Sequence, residues 1–185
     1  MVVAAVVGLL FGAADQYIGS LKPMVALGPW TVAVSQMSAL WLLLPFAFGC
    51  TQDRPRRAML IGLIATMAAL VGYFAMTISP IEGVPMDRVP GAAVAVIGSN
   101  LLWIVGGIVT GPGLGLLGQR WRVRGYWSSI TVAAGAFLFE PVARGIGGRL
   151  LGPSWVWATE AVLGACLAVT FLFAGAGRRR PQPTV

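Results

Sequence analysis

The sequence predicts an all-α integral membrane protein of six transmembrane helices with both termini in the cytoplasm. Three observations carry that prediction. Hydrophobic residues make up 57% of the 185 residues and charged residues only 10%, where globular domains hold about one quarter charged. The apolar residues gather into runs of about 20, the length that crosses about 30 Å of hydrocarbon. Lys and Arg fall in short clusters between the runs, the pattern that sets membrane orientation. Period-two alternation is absent, so helices rather than barrel strands must satisfy the backbone in lipid.

The six runs follow in order. The first, 2–19, lacks a basic n-region, so it reads as a retained span rather than a cleaved signal peptide. The second, 30–50, holds Pro45 near its far end. The third, 58–79, is closed by Pro80. The fourth, 92–110, is expected to stop or kink at Gly111-Pro112-Gly113. The fifth, 126–146, contains Pro141, and the sixth is 155–175. Together they form one transmembrane domain, 1–177, followed by a short basic tail, 178–185.

Orientation comes from the loops. Arg54, Arg56, Arg57, Arg120, Arg122, Arg124, Arg178, Arg179 and Arg180 fall on one side, against Lys22, Arg88, Arg144 and Arg149 on the other. The arginine-rich side is the cytoplasmic one. Trp30, Trp155 and Trp157 then sit at the outer interface and Trp121 and Trp127 at the inner one, as an aromatic belt requires. Localisation in the plasma membrane, multi-pass, follows.

With depth assigned, an asymmetry emerges. Asp15 and Gln16 lie about 13 residues into the first span, or about 20 Å of helix. Gln36, Asn100, Glu140 and Glu160 fall in the same outer half, and of the six acids only Asp53 is on the inner side. A carboxylate inside a membrane is costly unless paired, hydrated or protonated, and such residues mark pathways or sites. An outward-facing pocket of Asp15, Gln16, Gln36, Asn100, Glu140 and Glu160 is therefore expected to bind a small polar or cationic solute. Trp41, Trp103 or Tyr73 would supply cation–π walls.

Structural readings compete at each position. Glu140 and Arg144 are four apart and can neutralise each other. Glu160 can reach interfacial water, and the amides and serines can join helices by hydrogen bonds. Ala4, Gly8 and Gly12 repeat every four residues, as do Gly107, Gly111 and Gly115, forming small-residue ridges for close helix contact inside the bundle or against a partner membrane protein or ATPase module. Gly113-x-Gly115-x-x-Gly118 matches a dinucleotide fingerprint only as text, because no strand precedes it. It reads as a membrane-exit segment.

Several chemistries are excluded. The chain has no His, hence no imidazole ligand or base. Cys50 and Cys166 are isolated in apolar runs, which supports packing rather than a disulfide or metal site. No nucleophile–base pair, metal cluster or phosphate loop is present, so neither an enzyme nor a cofactor is expected. The net charge of +7 follows from the orientation clusters, not from a nucleic-acid surface. Trp30–Pro45 echoes Trp127–Pro141, with ALWLLLPF beside GAFLFEPV, but apolar sequences align easily and coincidence is the better account.

FGAADQYIGSL, MSALWLLLPFAFG and GYFAMTISPIEG, all within residues 11–83, resemble a family of uncharacterised actinobacterial polytopic membrane proteins, which implies a membrane fold and no particular activity. In size and architecture the chain is also similar to the substrate-binding subunits of energy-coupling-factor transporters. That similarity implies six helices, both ends inside, a pocket near the outer face and a first-helix ridge for docking an ATPase partner, here Ala4, Gly8 and Gly12. The functional expectation is a solute-binding membrane protein serving transport. The alternative is a non-catalytic accessory subunit of a larger membrane complex, with an intramembrane enzyme a distant third.

Overall fold

A computed structural model describes residues 1–20, 37–125, 127–146 and 154–176. Among them the chain forms helices α1 (Val2–Ser20), α2 (Ser38–Cys50), α3 (Pro55–Thr77), α4 (Val89–Ser99), α5 (Leu101–Arg124), α6 (Trp127–Ile146) and α7 (Ser154–Ala176), with no strand. α1, α3 and residues 101–123 of α5 are long and apolar enough to cross a membrane, and shorter apolar helices accompany them. The described residues are thus all-helical, with three candidate membrane spans. The start of the expected second span, including Gln36, and the basic tail lie outside the described residues.

α3 is the centre of the packing. Its residues Ala58, Ile61, Gly62, Ala65, Thr66, Ala69 and Gly72 are all buried, and their spacing of three and four keeps them on a continuous broad face. Small side chains there let neighbouring backbones approach, which is how helices gain contact where lipid is as apolar as the protein. α1 runs parallel to α3: Gly8 meets Ala65, and a Cβ on Gly12 would strike the Ala69 carbonyl. The Ala4–Gly8–Gly12 ridge, open to a partner on the sequence alone, is thus covered by the chain's own α3. On the other side α5 runs antiparallel, with Gly107 against Met67 and Leu70 and Gly115 against Ala58. α2 fills the groove between α3 and α5, and α6 joins α7 to α2.

The fourth span differs from expectation. The break falls at Asn100, where φ is −113° and ψ is 17°, and not at Gly111-Pro112-Gly113. α5 continues through Pro112 to Arg124 and ends at Gly125, whose φ is +63°. Pro is tolerated inside a membrane helix where neighbours and small local adjustments accommodate the missing donor. Here Gly111 and Gly115 are contact points with Gly62 and Ala58, so these glycines bring α5 against α3 instead of ending it. The residues read as a membrane exit are helix interior. α4 has no buried residue and stands apart from the bundle.

The helix directions place two chemically different ends. At one end Arg122 pairs with Asp53 at 3.2 Å, and Gln119 donates to the Asp53 carbonyl at 2.9 Å. α3 starts at Pro55, so Arg56 and Arg57 belong to its first turn rather than to a loop. At the opposite end lie the close of α1 and α3, the start of α2, and Asp15, Glu140 and Glu160.

Candidate functional site

Asp15 reaches the bundle interior because it continues the small-residue stripe. Ala4, Gly8, Gly12 and Asp15 are the buried residues of α1, one face at steps of four, four and three. The carboxylate is therefore turned away from lipid and toward α2 and α3. There the Trp41 indole N–H donates to Oδ2 of Asp15 at 3.3 Å. The Trp41 ring meets Phe11 edge-on at 5.4 Å and Tyr73 at 5.9 Å. Three aromatic side chains, one from each of three helices, thus pack together, and the middle one, Trp41, reaches the buried carboxylate.

Among the described residues the Trp41 N–H is the hydrogen bond the carboxylate receives, while an ionised carboxylate has about four acceptor positions. No Lys or Arg pairs with Asp15 among the described residues. Gln16, the next residue, is half-buried.

A second cluster joins α6, α7 and α2. Arg144 lies one turn from Glu140, and its Nη2 and Nε reach Oε1 at 2.7 and 2.9 Å. The pairing allowed by their spacing is present. Glu140 has a further partner that spacing could not reveal: its Oε2 accepts the backbone N–H of Ala39 at 2.8 Å. Ala39 is in the first turn of α2, where N–H groups have no intrahelical acceptor. The guanidinium of Arg144 also sits 5.4 Å from the Trp157 ring.

Glu160 completes this cluster. The competing reading of the sequence has it reaching interfacial water, but it is 0% exposed. It lies one turn beyond Trp157, against which Arg144 packs, yet neither oxygen meets a hydrogen-bond donor among the described residues. Trp157, assigned from sequence to the outer belt, is 4% exposed and packs with Met37 and Val156. Its position three residues before Glu160 puts both on one helix face, and that signal was available in the sequence.

Two other expected residues, Asn100 and Trp103, do not join either cluster. Asn100 directs its amide to the Val96 carbonyl at 2.8 Å and to Ser99 Oγ at 3.1 Å, closing α4. Trp103, one of the aromatic walls expected, is exposed. Gln36 lies outside the described residues. Two hollows among the described residues lie elsewhere: one beside Asp87, Arg88 and Gly91, the other between Met1, Gln52, Arg57 and Ile61. Comparison with protein families, curated proteins and solved structures returns no match.

Proposed function

We propose that this protein binds a small amine-bearing or otherwise cationic solute at its acid-bearing end and serves transport across the plasma membrane. One observation carries the reading: a buried aspartate in a membrane helix that accepts the Trp41 indole N–H at 3.3 Å, with Phe11 and Tyr73 packed against that indole and no Lys or Arg paired with the carboxylate among the described residues. A cation there would complete the charge of Asp15 and lie against π faces that attract it. In this reading six spans cross the bilayer with both termini inside, and Asp15 faces the exterior half.

Glu140 and Asp15 both join helices, which favours a second reading, an accessory subunit whose polar groups act as interhelical ties. Ligand-dependent stability separates the two. Purified protein is heated in the presence of a panel of amines, polyols and amino acids, comparing wild type with Asp15→Asn. The transport reading predicts that at least one amine raises Tm of the wild type and not of the variant. Stabilisation by none, together with stoichiometric co-purification with a non-transport complex, would support the accessory reading.

A further inference from the structure

The Glu140–Glu160 cluster poses a problem of its own, independent of Asp15. Glu140 of α6 and Glu160 of α7 flank one contact: Arg144, paired with Glu140 at 2.7 Å, sits 5.4 Å from the ring of Trp157, three residues before Glu160. Glu140 is supplied with donors, Arg144 on Oε1 and the Ala39 N–H on Oε2. Glu160 is fully buried and has none on either oxygen among the described residues. Two ionised carboxylates so placed repel each other, and the buried one lacks the pairing that offsets desolvation. A single proton removes both problems, because a protonated carboxyl can donate to its ionised neighbour.

We infer that Glu140 and Glu160 share one exchangeable proton, making the junction of α6, α7 and α2 a proton-binding site. The Glu160 hydroxyl donates to a Glu140 oxygen, and Glu140 keeps its contacts with Arg144 and Ala39. With the proton the two acids together carry one negative charge; when the proton leaves they carry two. No bond other than O–H is made or broken.

The surroundings favour a proton over a metal cation. Hard cations collect about six oxygen ligands. Here both Glu140 oxygens already accept N–H donors, which leaves the two Glu160 oxygens among the described residues. Among the described residues, α2 faces the site with an N–H and no ionisable side chain. α6 supplies Glu140 and Arg144, and α7 supplies Glu160, with Trp157 beside Arg144. The site also has a mechanical output: Glu140 holds Ala39, two residues from the Trp41 that holds Asp15. Gain or loss of the proton therefore acts on the same first turns of α2 that carry the proposed solute contact, as proton-coupled transport would require.

Infrared difference spectroscopy of the ligand-free protein in lipid nanodiscs tests the site. Wild type minus Glu160→Gln at neutral pH should show the C=O stretch of one protonated carboxyl, downshifted in D2O and lost as pH is raised. Wild type minus Glu140→Gln should show the same band, because the amide introduced by that substitution would donate to an ionised Glu160. Since a glutamine side chain resembles a protonated carboxyl in shape and donor capacity, Glu160→Gln should also keep Tm within about 3 °C of wild type. Absence of the band from wild type, or its persistence in either variant, would overturn the proposal. Because no solute is added, that failure would leave the solute reading, judged by ligand-induced stabilisation, untouched.

Discussion

The backbone N–H of Ala39 donates to the carboxylate of Glu140, 101 residues further along the chain, at 2.8 Å. A side chain on α6 thus caps the first turn of α2, doing at long range what a local N-cap residue does for most helices. The residue before α2, Met37, makes no side-chain cap of its own. Glu140→Ala would remove the cap and leave both Arg144 and Glu160 in a buried site without it. Losing one member of a buried charge pair costs about 3–5 kcal/mol. Glu140→Gln, which retains an acceptor for Ala39, should cost less than half of that. Denaturation of both variants in detergent checks the order.

Trp41 and Asp15 should show strong energetic coupling. Trp41→Phe keeps a ring beside Phe11 and Tyr73 but deletes the N–H, at a cost of about 1–3 kcal/mol for leaving a buried acceptor without a donor. In an Asp15→Asn background the same change should cost visibly less, since the neutral amide needs less compensation. A double-mutant cycle on thermal unfolding reads the difference. Equal costs in the two backgrounds would mean that the indole contributes by packing alone.

Glycines in this chain divide sharply by what surrounds them. A Cβ on Gly12 would collide with the Ala69 carbonyl, whereas Gly113 has nothing within 4 Å. Gly12→Ala should therefore force α1 away from α3 and lower stability by more than about 1 kcal/mol. Gly113→Ala should be neutral or slightly stabilising, because Gly costs about 1 kcal/mol relative to Ala inside a helix. Expression level and Tm of the pair provide the check.

At the arginine-rich end, burial rather than charge should decide the effects. Gln119 is 6% exposed and donates to the Asp53 carbonyl at 2.9 Å, so Gln119→Leu should cost about 1–2 kcal/mol. The Arg122–Asp53 pair is largely exposed, with side chains 44% and 82% accessible, and Arg122→Ala should change stability by less than about 1 kcal/mol. If the Arg122 variant is the weaker of the two, the ordering fails.

The sequence is informative where one residue type has one use in lipid. Long apolar runs make the helices legible, and spacings of four at Ala4, Gly8 and Gly12 and at Gly107, Gly111 and Gly115 mark the surfaces that α3 covers. The fourth span is misread because Gly111-Pro112-Gly113 has two opposed meanings. As punctuation it ends a helix; as small residues on a contact ridge it lets a helix continue against a neighbour, and Gly62 opposite decides between them. Asn100 reads as a pocket residue in the sequence, but its short amide finds the Val96 carbonyl one turn back. The acids gathered at the end opposite Asp53 are legible as a group. Their division into an Asp15 cluster and a Glu140–Glu160 cluster is not, since it depends on Trp41, Ala39 and Trp157 arriving from other helices.

The proposed cation site at Asp15 and its aromatic neighbours is tested most directly by an equilibrium titration. Purified wild type is titrated with a series from methylammonium to tetramethylammonium, and with larger primary amines, while tryptophan fluorescence is followed. The account predicts a saturable change for at least one member, lost in Asp15→Asn and reduced in Trp41→Phe. A flat response across the series, or the same saturation curve in Asp15→Asn, would contradict it.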